Sequence, residues 1–91
     1  MEMKQKIMIV DDAEINRQIL MAILGDKYEY VQAENGCQAV HMLQHDLTID
    51  LILLDINMPE MNGFQVLERM NKFHWIDEIP VIIISSEEKR D

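Results

Sequence analysis

Three carboxylates and one hydroxyl in this sequence lie directly after short apolar runs, where they could take part in one piece of chemistry. The four residues are Asp11, Asp12, Asp55 and Ser85. The runs before them are residues 7–10, 51–54 and 80–84, rich in Ile, Leu and Val. Such runs are typical of strands buried on both faces of a parallel sheet. Because ligands of open α/β sheets bind outside the carboxyl ends of the strands, we expect these side chains to share one crevice.

The chemistry that fits this crevice is phosphoryl transfer to a carboxylate. Three carboxylates in one place repel one another, and a bound cation relieves the repulsion. Mg²⁺ is the natural choice, because it takes oxygen ligands, typically one or two carboxylates together with waters and a phosphate oxygen. A carboxylate nucleophile forms an acyl phosphate, and its catalysis is mostly positioning and charge neutralisation. Asp55 is the first candidate for that nucleophile.

A plainer interpretation exists for each of these residues taken singly. An Asp or Ser after a strand is more often a turn or helix-capping residue than a ligand, and both Asp12 and Ser85 could cap a helix. The functional interpretation depends on the convergence of three separate strands on one place.

Apolar runs and helical patterns alternate along the whole chain. The predicted strands are residues 7–10, 28–33, 51–55 and 80–84. The predicted helices lie between Asp12 and Gly25, over residues 37–45, and from Phe64 towards Phe73, with residues 87–91 as the start of another. The order β-α-β-α-β-α-β is typical of an α/β fold with a doubly wound parallel sheet. With 91 residues and no linker or repeat, the chain is expected to be a single domain.

Helical spacing predicts which side of the first helix is buried. The predicted inward face consists of Ile15, Ile19, Leu20, Ile23 and Leu24. We expect Arg17 to lie off this face, and Gly25 to end the helix.

Composition limits the classes of partner. The net charge of −9, from 17 acidic and 8 basic residues, argues against nucleic acid as a partner. The lone Cys37 has no disulfide partner in the chain, which favours a reducing, cytoplasmic setting. No apolar run approaches membrane-spanning length, so no membrane partner is expected.

His41 and His45 lie one helical turn apart without a third ligand, and we interpret them as part of a solvated helix face.

Four stretches of the chain resemble the receiver domain family of two-component response regulators. They are Val10-Asp11-Asp12, Ala33-Glu34-Asn35-Gly36, Leu54-Asp55 with Met58-Pro59-Glu60-Met61-Asn62-Gly63, and Pro80-Val81-Ile82 leading to Ser85. The acidic doublet and the Asp-x-x-Met-Pro-x-Met-Asn-Gly run together make the resemblance specific, and it spans nearly the whole chain. It implies a flavodoxin-like receiver fold.

The resemblance also implies residue roles. Asp55 would be the phospho-acceptor and Ser85 the switch hydroxyl. A Mg²⁺ ion would be held by Asp11, Asp12, Asp55 and the backbone carbonyl of Asn57. The implied function is a phosphorylation-dependent signalling module rather than an enzyme, and its phosphoryl donor would be a sensor histidine kinase or a histidine phosphotransfer protein.

Further roles implied by the resemblance concern the surroundings of the site. Asn57 and Glu87 match positions that tune the lifetime of the acyl phosphate. Pro59 and Gly63 would shape the loop after Asp55, Pro by fixing φ and Gly by permitting a conformation that other residues resist.

One family feature does not occur in these 91 residues. The family carries a Lys at the end of a fifth strand, followed by a last helix, and Lys89 is too close to Ser85 to be that Lys. We therefore expect a receiver domain over residues 1–91 that is incomplete at its carboxyl end. Its fourth strand would be an edge and part of one sheet face would be bare, which predicts a homodimer or domain exchange through that strand.

Two other functions remain open. One is a receiver-like module for interaction or oligomerisation that works without phosphorylation. The other is a phosphatase with an aspartate nucleophile, although such enzymes usually need Asp-x-Asp after the first strand. Here Asp11 and Asp12 are adjacent, and Ala13 and Glu14 follow.

Overall fold

The computed structural model describes residues 3–46 and 48–84. Its strands are β1 (Lys6–Val10), β2 (Glu29–Ala33), β3 (Leu51–Asp55) and β4 (Val81–Ile84). Its α-helices are α1 (Glu14–Leu24), α2 (Gly36–His45) and α3 (Gly63–Lys72), and a short 3₁₀ helix spans Trp75–Asp77. The four strands form one parallel sheet in the order β2-β1-β3-β4. The predicted fold class, a doubly wound α/β sheet, is confirmed.

The strand order reverses direction at β1. From β1 the chain moves to β2 on one side and later returns to β3 on the other, so the carboxyl ends of β1 and β3 flank the switch point. Val10, the last residue of β1, lies opposite Leu54 in the register of the two strands. Asp11 and Asp55 therefore leave neighbouring strands at the same edge of the sheet.

Alternation along β1 divides the core between the two faces of the sheet. Met8 and Val10 point to the side covered by α2 and α3, whereas Ile7 and Ile9 point to the side covered by α1. The larger cluster, on the α2 and α3 side, contains Met8, Val10, Ala33, Ala39, Val40, Leu43, Ile49, Ile52, Leu54, Met58, Val66, Met70 and Ile79. Both faces of β1 and β3 are thus packed, as their unbroken apolar runs predicted.

Side chains at the amino ends of two helices fix where these helices begin. The Asn35 side chain accepts a hydrogen bond from the Gln38 amide at 2.7 Å at the start of α2. At the start of α3, Asn62 accepts from the Gln65 amide and the Gln65 side chain accepts from the Asn62 amide, a complete capping box. Each cap satisfies amides that the helix cannot, and contributes about 1 kcal/mol.

The buried side of α1 differs from the predicted one. Ile15, Ile19 and Ile23 are exposed, at 66%, 49% and 73% of their surface. Leu20 and Leu24, as predicted, pack against the cluster formed by β1 and β3, together with Met21. The predicted face was therefore wrong for its three isoleucines, and Arg17, which was expected outside, is buried.

The physical reason lies in the geometry of the helix. Arg17, Leu20, Met21 and Leu24 follow the spacing i, i+3, i+4, i+7, which covers one continuous stripe. The three isoleucines follow i, i+4, i+8 from a start two residues before Arg17, which places them on the other side of the helix. Spacing, and not the apolar character of single residues, decided which side packs on the sheet.

Two further apolar groups lie closer to solvent than predicted. On α3, Val66 and Met70 are buried, but Phe64 is exposed. On β4, Ile82 and Ile83 are also exposed, because β4 pairs only with β3 within the described residues. The expectation that β4 is buried on both faces was wrong, whereas its position at the edge was predicted. No helix within residues 3–46 and 48–84 is long and apolar enough to cross a membrane.

The end of the sheet opposite the switch point is held by a polar contact. Lys6 at the start of β1 pairs with Asp46 just after α2, at 3.1 Å. The Thr48 hydroxyl donates to Asp46. The hydrogen bonds from Thr48, and after them the hydrogen bond from Lys6, lower the pKa of Asp46 to about 2. This contact ties α2 to β1 at the far end from the acidic residues.

The corrected α1 face predicts different costs for two adjacent substitutions. Leu20→Ala removes packing against the sheet and should lower the free energy of unfolding by about 1–2 kcal/mol. Ile19→Ala removes an exposed side chain and should change it by less than about 0.5 kcal/mol. Urea unfolding of the two variants measures the difference. A larger loss for Ile19→Ala would contradict the observed face.

Candidate metal centre

Three carboxylates converge at the switch point. Each of the three residues places one carboxylate oxygen within 4.8 Å of an oxygen of the other two; the residues are Asp11, Asp12 and Asp55. Asp11 and Asp55 are almost fully buried, at 2% and 1% exposed, while Asp12 is exposed. We call these three residues the acidic cluster. Within residues 3–46 and 48–84 it is the one group of three or more His, Cys, Asp or Glu side chains so arranged.

Asp11 is held in place by its backbone and its side chain. Its amide donates to the carbonyl of Ala33 at 3.1 Å, which extends the pairing of β1 with β2 by one residue. Its Oδ1 accepts from the Ala13 amide at 2.9 Å, and the Asn16 side-chain amide lies 3.3–3.4 Å from both carboxylate oxygens. These donors give the buried Asp11 carboxylate its hydrogen-bond partners.

Asp55 is the last residue of β3, and its side chain is oriented by the loop that follows. Its Oδ1 accepts from the amide of Asn57 at 3.2 Å. The backbone of Asp55 is paired with Ile84 of β4 on one side of the strand. The buried carboxylate thus stands on a rigid strand end, between two neighbouring strands.

Asp12 has a different environment from the other two. It lies between the end of β1 and the start of α1, and its carboxylate is exposed. The residue before α1 is Ala13, which makes no side-chain cap, so Asp12 does not have the helix-capping role that the plainer interpretation gave it. The acidic cluster therefore has two buried members and one at its solvent side.

The loop after Asp55 approaches the site closely at Gly63. A Cβ atom at Gly63 would lie 2.7 Å from the carbonyl oxygen of Asp55 and 2.8 Å from the Cα of Ile56. The Gly63 amide donates to the Ile56 carbonyl at 3.0 Å, which closes the loop onto β3. Gly63 does not have a positive φ, so the expectation of a special backbone conformation was wrong. Glycine is needed there because no side chain fits.

The acidic cluster fits a hard divalent cation. Its ligands are carboxylate oxygens, two of them are buried and positioned by hydrogen bonds, and the third is open to solvent. Mg²⁺ prefers oxygen ligands and retains several waters, which matches a site with a solvent side. The side chains of Asp11, Asp12 and Asp55 are the ones that would hold it.

The other predicted site residues are only partly placed. Asn57 is exposed and contacts Asp55 through its amide, and the role of its carbonyl as a ligand stays a prediction. Ser85 and Glu87 lie outside the described residues. His41 and His45 do not belong to any three-residue group of this kind in the described chain.

Sequence reasoning missed two residues beside the acidic cluster. Asn16 donates to the Asp11 carboxylate, and the Arg17 guanidinium donates to the Asp11 carbonyl at 2.6 Å. The signal for Arg17 was its place at the head of the stripe that continues through Leu20, Met21 and Leu24. A charged residue on a buried stripe, six positions after a strand-end carboxylate, indicates a polar contact near that strand end.

Comparison with known proteins gives one consistent family. The family model described as the response regulator receiver domain matches residues 7–91. The two-component response regulator ORR3 of Oryza sativa subsp. indica is 33% identical over 87 residues, which cover 94% of this chain and 66% of the rice protein. The response regulator RR06 of Streptococcus pneumoniae is 37% identical over 81 residues, 88% of this chain and 36% of that protein. The chain therefore spans less than two thirds of the length of these curated relatives.

Solved structures share the fold. The chemotaxis protein CheY4 of Vibrio cholerae superposes with a TM-score of 0.81 at 28% identity, over 96% of this chain and 72% of that one. The receiver domain of the histidine kinase CKI1 from Arabidopsis thaliana gives a TM-score of 0.80 at 23% identity, over 96% of this chain and 69% of that one. These TM-scores show that the chain shares its fold with both structures.

The close approach at Gly63 predicts a selective effect on the acidic cluster. Gly63→Ala should displace the loop from the Asp55 carbonyl, lower the free energy of unfolding by about 2 kcal/mol, and weaken Mg²⁺ binding about tenfold. Isothermal titration calorimetry measures the affinity.

Gly25→Ala serves as the control for this variant. Gly25 has a φ of 87° with open space around it, so the substitution should cost about 1–3 kcal/mol of strain far from the cluster and leave Mg²⁺ affinity unchanged. Equal Mg²⁺ affinities in both variants would contradict the role given to the Gly63 contact.

Proposed function

The chain belongs to the response regulator receiver domain family, and on that premise we propose that it accepts a phosphoryl group on Asp55 from a sensor histidine kinase or a histidine phosphotransfer protein. The observation that carries this proposal is the acidic cluster, with Asp55 buried at the end of β3 and two more carboxylates beside it. Receiver domains are signalling modules, and we assign this chain the same role, without turnover of an external substrate.

The residues of the cluster divide the work of the transfer. An Asp55 carboxylate oxygen attacks phosphorus as the bond from phosphorus to the donor's histidine nitrogen breaks. The Asn57 amide and the rigid end of β3 hold that carboxylate in position. Asp11, Asp12 and Asp55 would hold Mg²⁺, which would neutralise phosphoryl charge. Mg²⁺ and BeF₃⁻ are bound by the receiver domain of CKI1, a protein similar to this chain in fold.

Three further roles in the proposal come from the family resemblance. Ser85 is the switch hydroxyl that turns towards the phosphoryl group. The Asn57 carbonyl is a further Mg²⁺ ligand, and the Asn57 and Glu87 side chains set the lifetime of the acyl phosphate. We place the domain in the cytoplasm, where its kinase partner acts, and its charge of −9 speaks against nucleic acid as a ligand of this domain.

An interaction module that works without phosphorylation is the second candidate. It is favoured by the apolar surface of β4, which pairs only with β3 within residues 3–46 and 48–84 and on which Ile82 is 51% exposed. Unpaired outer strands with apolar side chains are templates for pairing with another chain. In this form the fourth strand joins a second copy, as a homodimer or by domain exchange. A phosphatase is not favoured, because the adjacent pair Asp11-Asp12 lacks the Asp-x-Asp spacing.

Phosphorylation at Asp55 is tested by intact mass after incubation with Mg²⁺ and a small phosphodonor. The protein should gain one phosphoryl group that is stable in acid and lost in base, and Asp55→Asn should gain none because the nucleophile is removed.

Asp26→Asn is the charge-matched control, since Asp26 is exposed and distant from the acidic cluster in the chain. It should be phosphorylated like the unmodified protein. Absence of any adduct on the unmodified protein, or an equal adduct on Asp55→Asn, would refute the proposed acceptor.

Self-association through β4 is tested by sedimentation over a range of concentrations. The protein should show a concentration-dependent dimer, and Ile82→Lys should weaken the dimer at least about tenfold, because a charge on an outer strand opposes pairing. Phe64→Lys, at an apolar position on α3 that is also more than half exposed, should not weaken it. A monomer at the highest concentrations would rule out this mode of association.

A further inference from the structure

Arg17 is a buried charged residue that the proposed transfer does not use. Its side chain lies on the inner stripe of α1 and is only 6% exposed. The guanidinium donates from Nη1 to the backbone carbonyl of Asp11 at 2.6 Å and from Nε to the side-chain oxygen of Gln32 at 2.9 Å. Arg17 thus joins α1 to the end of β1 and to β2.

The carbonyl that Arg17 contacts belongs to the peptide group between Asp11 and Asp12. A peptide group is planar, so the direction of its carbonyl sets the direction in which the next residue leaves. The other peptide group of Asp11 is fixed as well, because the Asp11 amide donates to the Ala33 carbonyl. Arg17 therefore holds the peptide that carries Asp12, the solvent-side member of the acidic cluster.

No other side chain performs this task within residues 3–46 and 48–84. Asn16 and the Ala13 amide bond to the Asp11 carboxylate, and the Asn57 amide bonds to Asp55. The hydrogen bonds of the described residues include none that holds the Asp12 carboxylate. Its position depends on the backbone at Asp11, and hence on the contact with Arg17.

The chemistry of the guanidinium suits a fixed support. Arginine is always protonated, and its planar fork can donate to two acceptors in set directions. Hydrogen bonds from a charged donor are roughly twice as strong as neutral ones. Arg17 makes no ion pair with a carboxylate in the described part of the chain, so its positive charge is directed at the carbonyl beside the acidic cluster.

We propose that Arg17 is a positioning residue of the acidic cluster: by fixing the peptide between Asp11 and Asp12, it sets the affinity of the cluster for a divalent cation. This inference rests on the proposed function, in which the cluster binds Mg²⁺. Gln32 on β2 supports the guanidinium from behind, so its removal should have a smaller effect in the same direction.

The test is a Mg²⁺ titration of the whole chain by calorimetry, with the metal alone. Arg17→Met should weaken the affinity about tenfold, at the low end of the effect of residues that orient metal ligands. Arg17→Lys can reach one acceptor but not both, and should recover part of the loss. Gln32→Leu, at an exposed position, should weaken the affinity about twofold to threefold, as expected for loss of one supporting hydrogen bond.

Two controls separate positioning from charge and from stability. Arg69→Met removes one positive charge from an exposed position on α3 and should leave the affinity within about twofold. Leu20→Ala destabilises the same helix without touching the Asp11 carbonyl and should also leave it unchanged. In NMR spectra recorded without Mg²⁺, the amide resonances of Asp12 and Ala13 should differ from those of the unmodified protein in Arg17→Met and not in Leu20→Ala.

The outcomes are distinguishable. If the unmodified protein binds Mg²⁺ and Arg17→Met and Gln32→Leu bind it equally well, the inference is overturned while the proposed function stands. If Leu20→Ala weakens binding as much as Gln32→Leu, Arg17 is a structural support only, which also overturns it. If the unmodified protein binds no Mg²⁺, the proposed function fails and the inference fails with it.

Discussion

Val10 and Leu54 lie opposite each other in the parallel pairing of β1 with β3, and this register sets where the carboxylates meet. Neighbouring strands lie about 4.8 Å apart, so Asp11 and Asp55 are brought together by the sheet itself and not by flexible loops. A shift of one residue would turn one of these side chains to the other face. The packed cores on both sides of β1 and β3 hold the register, because a shift would also move their apolar residues.

Burial of two carboxylates side by side is unfavourable unless other groups compensate for it. The structure compensates with donors from short local segments: the Ala13 amide and Asn16 for Asp11, and the Asn57 amide for Asp55. The Ala13 and Asn57 amides belong to the segments that directly follow β1 and β3, and Asn16 lies in the first turn of α1, so the chain just after each strand also orients the acid. A divalent cation on the solvent side of the acidic cluster would complete this compensation.

Much of the fold and the centre of the site could be predicted because both depend on local patterns. Short apolar runs identified the strands, and an Asp at the end of each of two adjacent strands identified the cluster. The side of α1 that packs was predicted less well, since three exposed isoleucines outweighed the spacing that places Arg17 inward. The need for glycine at position 63 also escaped prediction, because it arises from the distance to the Asp55 carbonyl, a contact that no local pattern records.

We expect Asp11, Asp12 and Asp55 to form one divalent-cation site on the carboxyl side of the sheet. Backbone NMR during a Mg²⁺ titration tests it most directly. Saturable shifts are expected at the amides of Asp12, Ala13 and Asn57, which adjoin the carboxylates, and small changes at His41 and His45 on α2. Shifts that are absent, or that are largest on α2, would contradict it.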